Sequence, residues 1–116
     1  MKGNRTNIAL ILCSAPTLAS GRKVANTLLS KKLAACVSIV PGAESHYVWK
    51  GKQEKTKEVL LWIKTTKNNF KNVEKAIRAV HPYECPEIAQ IPVTQCFEAY
   101  GRWVKRQVAG FPFARE

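Results

Sequence analysis

The chain opens with an almost unbroken apolar run over residues 7–14, centred on Ile8-Ala9-Leu10-Ile11-Leu12. A run of this length without alternation predicts a central strand covered on both faces. Ser14-Ala15-Pro16-Thr17 supplies a turn with capping side chains. Leu18, Val24, Ala25, Leu28 and Leu29 then recur at helical spacing and predict a helix over 18–33, with Lys23, Asn26, Ser30 and Lys31 on its wet face. Gly21 weakens the first turns without ending it. Ala35, Val37 and Ile39 alternate with Cys36 and Ser38, the period of a second strand over 34–40. Pro41-Gly42 interrupts it, and extended sequence resumes through His46-Tyr47-Val48-Trp49, as one bulged strand or two in line. Lys50-Gly51-Lys52-Gln53 reads as a hairpin turn, and a third strand returns over 56–66. A second helix over 68–80 buries Phe70, Val73, Ile77 and Val80, and it places Glu74 and Arg78 as an i,i+4 ion pair. Pro82 disfavours helical geometry at His81 and ends that helix. A fourth strand over 88–93 and a short helix over 97–108, with Tyr100, Trp103 and Val104 on its apolar side, complete the pattern.

The order β-α-β-β-α-β followed by α is an α+β arrangement, a split βαβ with two helices on one face of a four-stranded antiparallel sheet. Two helices cannot cover a first strand that is apolar throughout, three tryptophans and an overlong hairpin. An open sheet face and a protruding hairpin predict self-association.

At 116 residues the chain forms one domain, 1–116, in which 1–6 are a leader and 109–116 a tail, both peripheral. Nineteen Lys and Arg against eight acids give a net charge of +11. The cations are scattered, with no run of five, so they suit a solvated surface better than a nucleic-acid arm. They still favour anionic ligands and nonspecific nucleic acid. No RNP-like aromatic motif or helix-turn-helix is visible, so no specific nucleic-acid partner is expected. The chain contains no Asp, which argues against magnesium-dependent phosphoryl transfer and calcium loops. Cys13, Cys36, Cys85 and Cys96 include no C-x-x-C pair and are expected as reduced thiols in a cytoplasmic protein. No segment has the length of a membrane-spanning helix, and no membrane partner is expected.

Candidate chemistry concentrates in the stiff connector His81-Pro82-Tyr83-Glu84-Cys85-Pro86-Glu87, which reads either as a rigid loop or as a ligand site on one. Catalysis would need a nucleophile and a base. Cys85 with His81 is the only nearby pair, and nothing resembling an oxyanion hole or orienting acid accompanies it, so no enzymatic activity and no organic cofactor are expected.

Several motifs in order carry a family resemblance. They are Leu33-Ala34-Ala35-Cys36-Val37, Tyr47-Val48-Trp49-Lys50-Gly51-Lys52, Glu58-Val59-Leu60-Leu61-Trp62, His81-Pro82-Tyr83-Glu84-Cys85-Pro86-Glu87 and Tyr100-Gly101-Arg102-Trp103. Together they resemble the CutA family of divalent-cation tolerance proteins, from about Ile8 to Val104. The resemblance implies a ferredoxin-like fold, a homotrimer resembling PII signal-transduction proteins, and tolerance of copper or another divalent metal without an established reaction. Carried over, it implies metal ligation by Cys13 and His81, with Val80 standing where some members have a second His. Glu84 is added as a replacement oxygen ligand, and this thiolate, imidazole and carboxylate set would suit copper or another divalent ion. From the residues alone Cys13 reads first as a small buried residue ending a strand, and His81 equally as a hydrogen-bonded helix terminator. Trp49, Lys52, Tyr83 and Glu87 form a second group. Either they line an intersubunit cleft for a small anionic ligand, in a PII-like signalling or scaffold trimer, or they hold the trimer together.

Overall fold

The computed structural model describes residues 6–109; the leader before Thr6 and most of the C-terminal tail lie outside the described residues. The elements are β1 (Ile8–Ala15), α1 (Leu18–Ser30), β2 (Cys36–Trp49), β3 (Lys52–Thr66), α2 (Phe70–Val80), β4 (Ile88–Val93) and α3 (Glu98–Gln107). The sheet order is β2-β3-β1-β4 with every neighbour antiparallel, the expected mixed α+β architecture. β1 is central, with Cys13 opposite Leu61 on one side and Ile88 on the other.

The register sorts the side chains by face. Ile11, Cys13, Ala15, Leu61 and Ile63 alternate onto the side covered by α1 and α2, and with Val24, Leu28, Val73 and Ile77 they form the main core. Gly21 permits the close approach of α1, because a Cβ there would meet the Val59 Cγ2 at 3.0 Å. The opposite face is covered at one end only. There α3 lays Val104 against Ile8, with Val93 and Cys96 alongside. Beyond α3, Val40, Trp62 and Ile91 stay between 42% and 46% exposed.

Local chemistry explains where the boundaries move from the expected ones. α1 starts at a capping box: Ser20 N–H donates to Thr17 Oγ1 at 3.0 Å, and Thr17 N–H donates to Ser20 Oγ at 3.1 Å. It stops short of 33 because Lys32 turns left-handed, at φ 57°, and Leu33 N–H closes back on the Leu28 carbonyl at 2.9 Å. β2 is one strand, bulged between Val40 and Ala43 at Pro41-Gly42, and β3 starts four residues earlier than expected, so the hairpin pairs all the way to Trp49 and Lys52. Lys50 and Gly51 both have positive φ, 52° and 80°, as a two-residue hairpin turn of the right twist requires. A 3-10 turn, Lys67–Asn69, precedes α2. The expected Glu74–Arg78 ion pair does not form. The two ion pairs among the described residues are His46–Glu44 and Arg102–Glu98, and an exposed i,i+4 contact is too weak to hold two long side chains together.

Candidate functional site

The connector 81–87 crosses the end of the sheet where β1 finishes. Pro82 drives His81 into an extended conformation, φ −80° and ψ 137°, so its ring leaves the line of α2 and turns back to β1. Both ring nitrogens are committed there. Nε2 lies 2.7 Å from the Ser14 carbonyl, which can only accept, and Nδ1 lies 3.1 Å from Tyr83 N–H, which can only donate. The neutral tautomer protonated at Nε2 satisfies both. The Tyr83 ring packs 5.0 Å from the imidazole, and its hydroxyl donates to Glu58 Oε2 at 2.6 Å. Burial and that carboxylate push the Tyr83 phenol well above its ordinary range.

Cys13 lies on the helix-facing side of β1, nearly inaccessible. Burial first, then the negative charges of Glu87 and Glu58, push its thiol up from 9.0 to about 12; only hydrogen bonding with the Ser14 backbone opposes them. The thiol therefore keeps its proton at neutral pH.

The structure thus gathers Cys13, His81, Tyr83 and Glu87 at one end of the sheet, but it does not assemble Cys13, His81 and Glu84 as a ligand set. Glu84 instead lines an open groove of about 380 Å³ with Glu74, Lys75, Arg78, Tyr83 and Pro86. His81 has no lone pair to spare, and among the described residues no three His, Cys, Asp or Glu side chains are grouped to hold a metal. The residues present do not fit a preformed metal centre within one chain. Cys85 is exposed, and His81 has no free nitrogen to serve as its base.

The second group divides in two. Trp49 and Lys52 face each other at the hairpin tip, where Lys50 Nζ lies 5.7 Å over the Trp49 ring. Six residues of extended strand, roughly 20 Å, separate Lys52 from Glu58, the partner of Tyr83. Glu58 is the site residue that sequence reasoning missed. It is a buried carboxylate just past the end of β1, since Val59 pairs with Ala15. An acid set directly before the apolar run Val59-Leu60-Leu61-Trp62-Ile63 is a visible signal, but its partner 25 residues away is not.

Comparison with known proteins agrees with this architecture. The family described as CutA1 divalent ion tolerance protein matches residues 9–107. The divalent-cation tolerance protein CutA of Escherichia coli O45:K1 is 37% identical over 103 residues, covering 89% of this chain and 92% of that protein. The solved divalent cation tolerance protein (Cut A1) of Thermus thermophilus has a TM-score of 0.86 at 34% identity, over 88% of this chain and 99% of its own. CutA1 of Oryza sativa gives 0.86 at 34%, over 89% and 94%. Strand order, the 81–87 connector and these matches along nearly the whole chain agree: the chain belongs to the CutA1 divalent ion tolerance family.

Proposed function

We propose that this chain serves divalent-cation tolerance as a non-enzymatic, cytoplasmic homotrimer that binds divalent metal, copper foremost. The observation that carries the assembly is the uncovered part of the second sheet face. Val40, Trp62 and Ile91 are exposed there in one contiguous sheet, beside a hairpin whose Val48 is 70% exposed. A β-sheet leaves such a face bare when another copy covers it. Light scattering tests this directly: a particle of ~39 kDa supports a closed trimer, and a 13.0 kDa monomer overturns it.

The metal reading rests on the family and on the nearness of Cys13 and His81. A copper site at these residues would have to replace the hydrogen bonds of His81 to Ser14 and Tyr83, and the proton of Cys13 must leave. A copper(I) competition titration against a coloured chelator, on reduced protein, tests it. Binding near one ion per chain, weakened by Cys13→Ser with His81→Ala, supports the site. Chelator that keeps all its copper leaves the second reading, a PII-like scaffold or signalling trimer holding a small anion in intersubunit clefts. That reading draws on the groove beside Tyr83, where the cations of Lys75 and Arg78 stand with the carboxylates of Glu74 and Glu84.

A further inference from the structure

The charge of this chain is not evenly spread over the fold. No acid occurs before Glu44, and Glu74 is the single acid across α1, the 3-10 turn and α2. The outer surface of this helix layer exposes Lys23 from α1, Lys31 and Lys32 from the turn that ends it, and Lys67, Lys71 and Lys75 from the second half of the layer. The end of α1 and the start of α2 form one corner. Ala109 N–H donates to the Lys32 carbonyl at 2.7 Å, and the Ala109 carbonyl accepts from Asn69 Nδ2 at 3.3 Å, which brings Lys31–Lys32 beside Lys67. None of these cations enters either ion pair found among the described residues. The patch also lies on the side of the sheet opposite the bare apolar face, so self-association through that face leaves it accessible.

We propose that the helix layer is a docking surface for the phosphodiester backbone of a double-stranded nucleic acid, read without sequence preference. Charge complementarity selects a polyanion. The absence of stacking groups selects a duplex over a single strand. The exposed aromatics lie on the hairpin, the second face and the α3 region, while Phe70, the one aromatic of α1 and α2, packs on the core. α1 alone is about 20 Å long, enough to track several phosphates along a groove edge.

The test is fluorescence anisotropy of a labelled mixed-sequence duplex DNA, titrated with the intact protein between about 50 and about 200 mM salt. Two triple variants lower the net charge equally. Lys31→Glu with Lys32→Glu and Lys71→Glu alters the patch, and Lys50→Glu with Lys55→Glu and Lys57→Glu alters the hairpin. The patch variant is expected to bind at least about tenfold more weakly and to lose about three units of salt slope, while the hairpin variant stays within about threefold. If charge reversal unfolds the protein, Lys23→Gln with Lys71→Gln and Lys75→Gln, set against Lys50→Gln with Lys55→Gln and Lys57→Gln, gives the same comparison at equal net charge. Equal losses in both variants, tighter binding to single strands, absence of binding at low salt, or binding to phosphatidylserine vesicles without duplex binding would each overturn the proposal.

Discussion

His81 is the residue on which the metal and packing readings divide, because its two nitrogens are both engaged with main-chain groups. Removing the ring leaves a buried Ser14 carbonyl with only the weak Cys13 thiol as donor, and takes the acceptor from the Tyr83 amide. His81→Ala is therefore expected to cost about 1–3 kcal/mol in urea unfolding, the usual penalty of a buried group left without its partner. His81→Gln, whose amide can still donate toward Ser14, should recover part of it. Cys13 gives a prediction in pH. Its native thiol titrates near 12 against an ordinary 9.0, so above pH 9 the unfolded chain has released a proton that the folded chain still holds. The stability this provides is complete below about pH 9 and is lost as pH rises toward 12. Urea midpoints across that window should fall more steeply for the native chain than for Cys13→Ala; parallel curves would show that the thiol is not coupled to folding. Glu58 marks the limit of sequence reading at this scale. Its acid at the edge of the apolar half of β3 is visible, but the Tyr83 hydroxyl that holds it arrives only through tertiary structure.

Elements were legible in proportion to how local their causes are. Period, proline and glycine are local, so the order of strands and helices, the end of α2 at His81 and the interruption at Pro41-Gly42 all followed from the chain; that the interruption is a bulge in one strand and not a break between two is decided by the pairing to β3. The early end of α1 did not, because it depends on a lysine taking a left-handed conformation usually given to glycine. The early start of β3 did not either, since its first polar residues are held by pairing to β2 instead of by burial. Gly21 is the element-scale feature open to test. It sits in the first turns of α1, where propensity favours almost any other residue, yet its missing side chain lets α1 approach Val59 and Leu61. Gly21→Val should lower stability by about 1–3 kcal/mol through overpacking, despite replacing a poor helix former. A gain in melting temperature would mean that the helix can lift from the sheet without loss.

At the scale of the whole molecule, the open sheet face and the long hairpin are two consequences of one arrangement. A four-stranded sheet has two faces to bury; α1 and α2 cover one, and α3 reaches only one end of the other. What the sequence leaves illegible here is the partner, because an apolar position reads the same whether it faces its own core or another copy. Trp62 separates the two cases. It is 46% exposed in the isolated chain and pairs with Leu12 at the centre of the sheet, so a charge there barely disturbs the fold of one subunit. In an assembly that covers the face, the same charge would be buried without a partner, a cost of several kcal/mol per chain. Trp62→Glu should therefore give a monomer by light scattering with a nearly unchanged far-ultraviolet spectrum. Its melting temperature should also lose the dependence on protein concentration that the unsubstituted chain would show if it associates through this face. A variant that stays associated would place the subunit contact on the hairpin alone, and Val48→Glu would then be the substitution that dissociates it.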